Sequence, residues 1–146
     1  MLSNSCRYGI RAVMYLASRQ SGNTMTGITR ISEDLNLPTP FLAKILQQLA
    51  KHKILNSLKG PHGGFSLMKD PNKISLFDIV RIIDGDDIFN NCIIHNNTCK
   101  NVTKNRDACA LHDDYSAIRI QLINLFRSTT IQDLVQKAGD SDRIVI

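Results

Sequence analysis

Residues 39–68 read TPFLAKILQQLAKHKILNSLKGPHGGFSLM, and this stretch decides the fold. Thr39-Pro40 is typical of a helix start, because a proline in the first helical turn loses no hydrogen bond. The helix that follows has one apolar face and one polar, basic face. Two strand-like runs, residues 54–58 and 65–68, then flank a glycine-rich turn. The stretch predicts a two-faced helix followed by a β-hairpin.

The two faces of this helix follow from a period of 3.6 residues. The predicted inner face is Phe41, Leu42, Ile45, Leu46 and Leu49. The predicted outward face is Ala43, Lys44, Gln47, Gln48 and Lys51.

Upstream, the apolar spacing predicts a helix over residues 4 to 19. Thr26 is a candidate N-cap for a short helix in which Ile28, Ile31 and Leu35 have helical spacing. Asn36-Leu37-Pro38 ends the short helix in a tight turn. Helix, short helix, turn, polar-faced helix and hairpin is the order of a winged helix-turn-helix. The predicted fold class is mainly α with a small β-hairpin wing and a long C-terminal dimerisation helix.

Downstream, capping-box patterns at Ser75 with Asp78 and at Thr130 with Asp133 predict two further helix starts. The first of these helices ends at Asp84-Gly85, and the second runs from residue 131 to 137. The stretch from 86 to 109 has no hydrophobic periodicity, so a bound ligand is a candidate for ordering it. We therefore predict a winged domain over 1–85, a cysteine-rich cluster-binding loop over 86–109, and a dimerisation helix with a short C-terminal helix over 110–146.

The long helix carries a heptad rhythm over about two heptads. A core helix is one interpretation, but a small winged domain offers little core to cover it, so we favour pairing with a second subunit in a homodimer. The predicted dimer seam is Leu111, Tyr115, Ile118, Leu122 and Leu125.

Charge is distributed unevenly along the 146 residues. The net charge is +5, of which residues 1–75 carry +7 and residues 76–146 carry −2. A basic half suits a protein that contacts phosphates, although a solvated basic surface gives the same count. If the partner is double-stranded DNA, the outward helix face and the hairpin tip are the candidate contacts. They are Thr39, Pro40, Lys44, Gln47, Gln48, Lys59 and His62.

No apolar run approaches the 18 residues that a membrane span needs, and no secretory signal pattern is present. We expect no membrane association and a cytoplasmic location, where cysteines are reduced and serve as ligands or redox centres more often than as disulfides.

Cys92, Cys99, Cys109 and His112 form the one constellation that suits chemistry, with six, nine and two residues between successive members. Thiolates and an imidazole bind either zinc or an iron-sulfur cluster. His95 could replace His112, but only His112 lies near the start of a helix that would fix its position. Cys6 stands apart and is expected to be packed. No catalytic constellation emerges, so an enzyme is not predicted.

Three segments resemble the Rrf family of bacterial repressors, which includes IscR-type, NsrR-type and CymR-type regulators. They are residues 2–12 (LSNSCRYGIRA), residues 59–67 (KGPHGGFSL) and residues 109–112 (CALH). The resemblance covers nearly the whole chain. It implies a homodimeric winged-helix regulator that, in many members, holds an iron-sulfur cluster through three cysteines and a fourth ligand.

By position, the resemblance assigns the three thiolates to Cys92, Cys99 and Cys109 and the fourth ligand to His112, as in IscR-type members. NsrR-type members use an aspartate where this chain has Arg7, and IscR-type members carry an acidic residue where this chain has Ala43. A [2Fe-2S] cluster is favoured over [4Fe-4S], although the cysteine gaps are longer than usual. The expected function is a repressor that senses iron-sulfur, redox or nitric oxide status. The alternatives are a zinc or thiol-switch loop on the same fold, and a protein-interaction scaffold using the basic hairpin.

Overall fold

The computed structural model describes residues 1–19, 24–95 and 109–139. Seven α-helices and one β-hairpin make up these ranges, with a short 3₁₀-helix at Pro71–Lys73. In chain order the elements are α1 (Asn4–Ser18), α2 (Ile28–Leu35), α3 (Thr39–Lys51), β1 (Leu55–Leu58), β2 (Gly64–Leu67), α4 (Leu76–Ile83), α5 (Asp87–Asn90), α6 (His112–Ser128) and α7 (Ile131–Gly139). This is a mainly α fold with a two-stranded antiparallel hairpin, as predicted.

The core is built around α1. This helix packs against α2, α3, α4, α7 and strand β2. Its buried face interlocks with apolar side chains from all of these elements, and Ala12 and Val13 are completely buried. Gly9 allows α4 to approach closely, because a Cβ at this position would overlap the side chain of Ile83. Burial of this single face therefore fixes the mutual positions of the surrounding helices.

The turn between α2 and α3 is held by its own polar groups. Asn36 adopts the left-handed conformation, with φ 51°, and ends α2. The Ser32 hydroxyl donates to the Leu37 carbonyl and also lies 2.7 Å from the Thr39 hydroxyl. Thr39 was predicted as the N-cap of α3, but it is the first residue of the helix, and Pro38 occupies the N-cap position. The helix therefore starts one residue earlier than predicted. These bonds set the angle at which α3 leaves the turn.

The sequence predicted Thr26 as the N-cap of α2, but Thr26 does not cap this helix. Gly27 holds the N-cap position, and no side chain completes it. Thr26 instead pairs with Phe65 of the hairpin through two backbone hydrogen bonds of 2.9 Å. The hairpin is thus extended by one bridge on its inner edge, which ties it to the start of α2.

Gly64 permits that bridge. Its φ is 147°, which disfavours residues with a side chain, and a Cβ would overlap the carbonyl oxygen of Thr26. The close backbone approach between the hairpin and the start of α2 therefore requires glycine here.

Phe41 is not in the core, contrary to the predicted inner face of α3. Its side chain is 61% exposed, whereas Leu42, Ile45, Leu46 and Leu49 are buried. Phe41 lies at the edge of the apolar stripe in the first turn of the helix, where no element of the described ranges covers it. The prediction was correct for the other four residues.

Both predicted capping boxes are present, at Ser75 with Asp78 and at Thr130 with Asp133. Ser75 and Thr130 also pair as an isolated β-bridge, so the starts of α4 and α7 lie side by side. Ile131 is completely buried, and α7 packs back onto α1.

The segment from 86 to 109 was predicted to have no regular structure, but it begins with the single helical turn of α5. Phe89 in this turn is buried and contacts the rings of Phe77 and Phe126, with centroids 4.6 and 5.7 Å apart. The ring cluster joins α4, α5 and α6. Residues 96–108 of the predicted loop lie outside the described residues.

We expect Gly64→Ala to lower the free energy of unfolding by at least about 2 kcal/mol, because alanine at this φ is strained and its Cβ displaces the Thr26 carbonyl. Urea unfolding followed by circular dichroism measures this change. Gly27→Ser is the matched control, since its Cβ meets nothing within 4 Å and serine is a good N-cap. Equal stabilities for the two variants would contradict the assignment.

Candidate functional site

The outward face of α3 forms an exposed polar surface. Pro40, Lys44, Gln47 and Gln48 are exposed, while Thr39 is partly covered by its contact with Ser32. In a helix-turn-helix, the first turns of this second helix are the part that enters the major groove.

The two glutamines on this face have different partners. The Gln47 amide lies 3.4 Å from the Ser57 hydroxyl and so links α3 to β1 of the hairpin. The Gln48 amide donates to the Ile82 carbonyl, which turns it toward α4. Gln47 is therefore the better placed of the two to face a ligand beside the hairpin.

The hairpin tip carries the other predicted contacts. Lys59 and His62 are both exposed, and the turn between them contains Gly60 at φ 109°. Between the tip, the start of α2 and Gln47 lies an open groove of about 400 Å³. The hairpin and α3 thus border one continuous basic and polar surface.

A cluster on α1 and α2 was missed by the sequence reasoning. The buried Tyr15 donates its hydroxyl proton to Asp34. This hydrogen bond lowers the pKa of the Asp34 carboxyl, and the nearby Arg30 and Arg19 lower it further. Both guanidiniums lie within 3.5 Å of the carboxylate. The cluster fixes α2 to α1 and leaves two cations at the surface, but its members are far apart in sequence and share no motif.

Cys92, His95 and Cys109 form a cluster of possible metal ligands. The two Sγ atoms are 3.5 Å apart, and the Cys92 Sγ is 3.6 Å from the His95 Nδ1. All three donor atoms lie within 4.8 Å of one another. The structure thus brings together two of the three predicted cysteines, and Cys99 lies outside the described residues.

His112 is placed differently from His95. It is the first residue of α6, as expected for a fixed position, but it does not belong to the group formed by Cys92, His95 and Cys109. Its Nδ1 is buried without a hydrogen-bond partner among the described residues. The geometry therefore favours His95 as the histidine ligand, although the sequence favoured His112.

The chemistry of the donor set suits a soft metal. Backbone N–H groups of His95 and Ile94 stabilise the thiolate and lower the pKa of Cys92 to about 6. Thiolates are the reactive and metal-binding form of cysteine. Two sulfurs and one imidazole nitrogen that converge on one point fit zinc or an iron-sulfur cluster.

Cys6 is a packed residue, as predicted. Its side chain is fully buried beside Val80 and Phe89. Burial, and secondarily the neighbouring Asp84, raises the pKa of the Cys6 thiol to about 12. A thiol in this state is neither a nucleophile nor a ligand at neutral pH.

The α6 helix leaves much of its apolar surface open. It has no buried residue, and Ile118 is 60% exposed. Of the predicted seam, Leu111, Ile118 and Leu125 are exposed, while Tyr115 and Leu122 are half-buried. An adjacent face of α6 packs through Ile123 and Phe126 on the cluster that contains Phe89.

Among the described residues, no helix is long and apolar enough to cross a membrane.

A three-helix core with an exposed polar helix and a glycine-tipped hairpin defines the winged helix-turn-helix class. The sequence matches the Rrf2 family, described as iron-dependent transcriptional regulators, over residues 2–137, and the chain belongs to this family. Its members are regulators of transcription, not enzymes, in agreement with the expectation from the sequence.

Relatives and solved structures agree with this assignment. An HTH-type transcriptional regulator of Aquifex aeolicus is 32% identical over 135 residues, which cover 92% of this chain and 91% of that protein. The structure of CymR, the global cysteine regulator of B. subtilis, superposes with a TM-score of 0.74 at 24% identity, covering 94% of this chain and 97% of that one. The structure of T. potens IscR superposes with a TM-score of 0.75 at 20% identity, covering 100% and 93%. At these identities the two structures show a shared fold.

Proposed function

We propose that this Rrf2 regulator is a homodimeric repressor that binds double-stranded DNA and reports iron-sulfur, redox or nitric oxide status through a cysteine-held cluster. The observation that carries the proposal is the convergence of Cys92, His95 and Cys109 within 4.8 Å, directly before the α6 helix. The basic winged domain supports the DNA-binding part, and the open face of α6 supports the dimer.

The DNA contacts are assigned to α3 and to the hairpin. Lys44 on α3 and Lys59 at the hairpin tip are exposed cations that would contact phosphates. Gln47 is the candidate for hydrogen bonds to base edges, since an amide can both donate and accept there. Thr39 and Pro40 begin the helix, whose N-terminal dipole favours a nearby phosphate, and His62 adds a donor at the tip.

The cluster would be held by Cys92, Cys99 and Cys109, with His112 or His95 as the fourth ligand. The resemblance to IscR-type members supports His112, whereas the distances between donor atoms support His95. When bound, a [2Fe-2S] cluster supplies one-electron redox chemistry whose potential depends on its ligands and surroundings. The backbone N–H groups around Cys92 stabilise the thiolate that such a ligand needs.

The ligand cluster lies close to the rest of the fold. Arg119 of α6 donates to the carbonyl of Asn91, the residue before Cys92. Phe89, two residues earlier, packs against α4 and α6. If residues 91–95 became more or less ordered, the position of α6 would therefore change. Because we assign α6 to the dimer interface, the spacing between the two winged domains would change with it.

A second candidate keeps the fold and replaces the cluster with a zinc site or a thiol switch. The 3.5 Å separation of the Cys92 and Cys109 sulfurs and the low pKa of Cys92 favour it. Anaerobic purification, a visible absorption spectrum, and iron, zinc and sulfide analysis separate the candidates. Visible absorption with equimolar iron and sulfide supports the cluster, and a colourless protein with or without zinc supports the alternative.

We expect Lys44→Ala and Lys59→Ala each to weaken DNA binding and to reduce the salt dependence by about one unit of slope, since each would remove one phosphate contact. Titrations of a labelled duplex across a salt series measure both effects. Lys137→Ala is the matched control, because Lys137 is exposed on α7, in the last turn of that helix. An unchanged slope in both test variants would remove these residues from the interface.

Cys92→Ala, Cys99→Ala and Cys109→Ala are each expected to abolish the visible absorption and to change operator affinity several-fold. Cys6→Ala is the control and is expected to retain the spectrum, because Cys6 is fully buried and does not belong to the ligand group. His95→Ala and His112→Ala form a matched pair. Only the variant that removes the ligand histidine is expected to give a labile cluster. Unaltered operator binding in all three cysteine variants would show that the segment is not a sensor.

Ile118→Asp combined with Leu122→Asp is expected to give monomers, because unpaired carboxylates would be buried in the seam between two α6 helices. Sedimentation equilibrium measures the mass. Ala117→Asp with Asn124→Asp introduces the same charge on another exposed side of α6 and is expected to leave the dimer intact. A dimer that survives the Ile118 and Leu122 changes would contradict the proposed seam.

A further inference from the structure

Phe41 is an exposed aromatic side chain on the helix that we assign to the major groove. It is the third residue of α3 and is 61% exposed, whereas all the leucines and the isoleucine of that helix are buried. Within residues 1–19, 24–95 and 109–139, no other aromatic ring and no cation packs on its ring. The phenyl group of Phe41 is therefore exposed to solvent and does not pack in the core of the winged domain.

The surroundings of Phe41 are polar and basic. Pro40 precedes it, and Lys44 follows one helical turn later on the same exposed side. Residues 1–75 carry a net charge of +7. Binding to another protein would require a wider apolar patch than one ring. A polyanion that also carries an exposed apolar group complements a surface with one phenyl ring and several cations.

DNA presents one such apolar group in the major groove. The C5-methyl of thymine is the only methyl on an unmodified base edge, and apolar side chains such as phenylalanine recognise it by contact. The first turn of the second helix in a helix-turn-helix is the part that reaches the bases. Phe41 lies in that turn, so its position, exposure and chemistry agree.

We propose that Phe41 is a specificity-determining residue that selects thymine at one position of each half-site by packing against the C5-methyl group. The proposal rests on the DNA-binding function proposed above. The Phe41 contact would be apolar. The contacts proposed above are polar, because Lys44 and Lys59 contact phosphates and Gln47 forms hydrogen bonds to base edges.

The test removes the methyl group from the DNA and the ring from the protein. The preferred duplex is first selected from a random pool with the wild-type dimer. Each thymine is then replaced singly by deoxyuridine, which pairs identically but lacks the methyl. Dissociation constants are measured for wild type, Phe41→Ala and Phe41→Gln, with circular dichroism to check folding. Met68→Ala is the control, since Met68 is 53% exposed at the end of the hairpin away from its tip.

For wild type and Met68→Ala, uracil at one symmetric position is expected to weaken binding about fourfold, the usual effect of one lost methyl burial. Phe41→Ala and Phe41→Gln are expected to bind the thymine duplex several-fold more weakly and to show no further loss with uracil there. Equal uracil sensitivity in wild type and both Phe41 variants at every position would overturn the proposal. A wild-type protein that selects no sequence would instead overturn the proposed function and this inference with it.

Discussion

The fold depends on the burial of one face of α1. Completely buried residues such as Ala12 and Val13 contact the neighbouring elements on several sides, so α3, α4 and α7 are packed on a common helix. Because interiors are close-packed, a displacement of any of these helices would open a void against α1. The orientation of α3 is therefore set by its buried face, which packs on α1, and not by the residues it exposes.

The same helix connects the two halves of the candidate site. Cys6 of α1 packs with Val80 of α4 and Phe89 of α5, and the Ser3 backbone and hydroxyl both donate to Asp84 at the end of α4. Phe89 lies three residues before Cys92. Only two residues thus separate Phe89, which packs with Cys6 of α1, from the first residue of the proposed ligand cluster.

Elements whose signals are local could be predicted from the sequence. The end of α2 before Asn36 agrees with the prediction, α1 differs by one residue, and both capping boxes occur as expected. Errors arose where a distant partner decides the outcome. Thr26 pairs with Phe65, 39 positions away, and no local pattern distinguishes this bridge from a cap.

Tertiary contacts also decide the positions of the residues that were misplaced or missed. Phe41 has helical spacing appropriate to the core but lies beyond the reach of the elements that cover Leu42. The helical turn of α5 exists because Phe89 packs on two other rings, and that contact is tertiary. His95 and Cys109 meet although thirteen residues separate them, and a spacing rule for metal ligands does not describe such an approach.

The return of α7 to α1 has an evolutionary consequence. With Ile131 completely buried and Ser75 bridged to Thr130, the compact winged body is assembled from two separate stretches, roughly 1–83 and 130–139. The intervening residues, including Cys92, His95, Cys109 and α6, are an insertion between the end of α4 and the start of α7. Insertions of this kind vary in length and composition without disturbing the host core. The packing of the winged body could thus persist in evolution while the residues between α4 and α7 diverged.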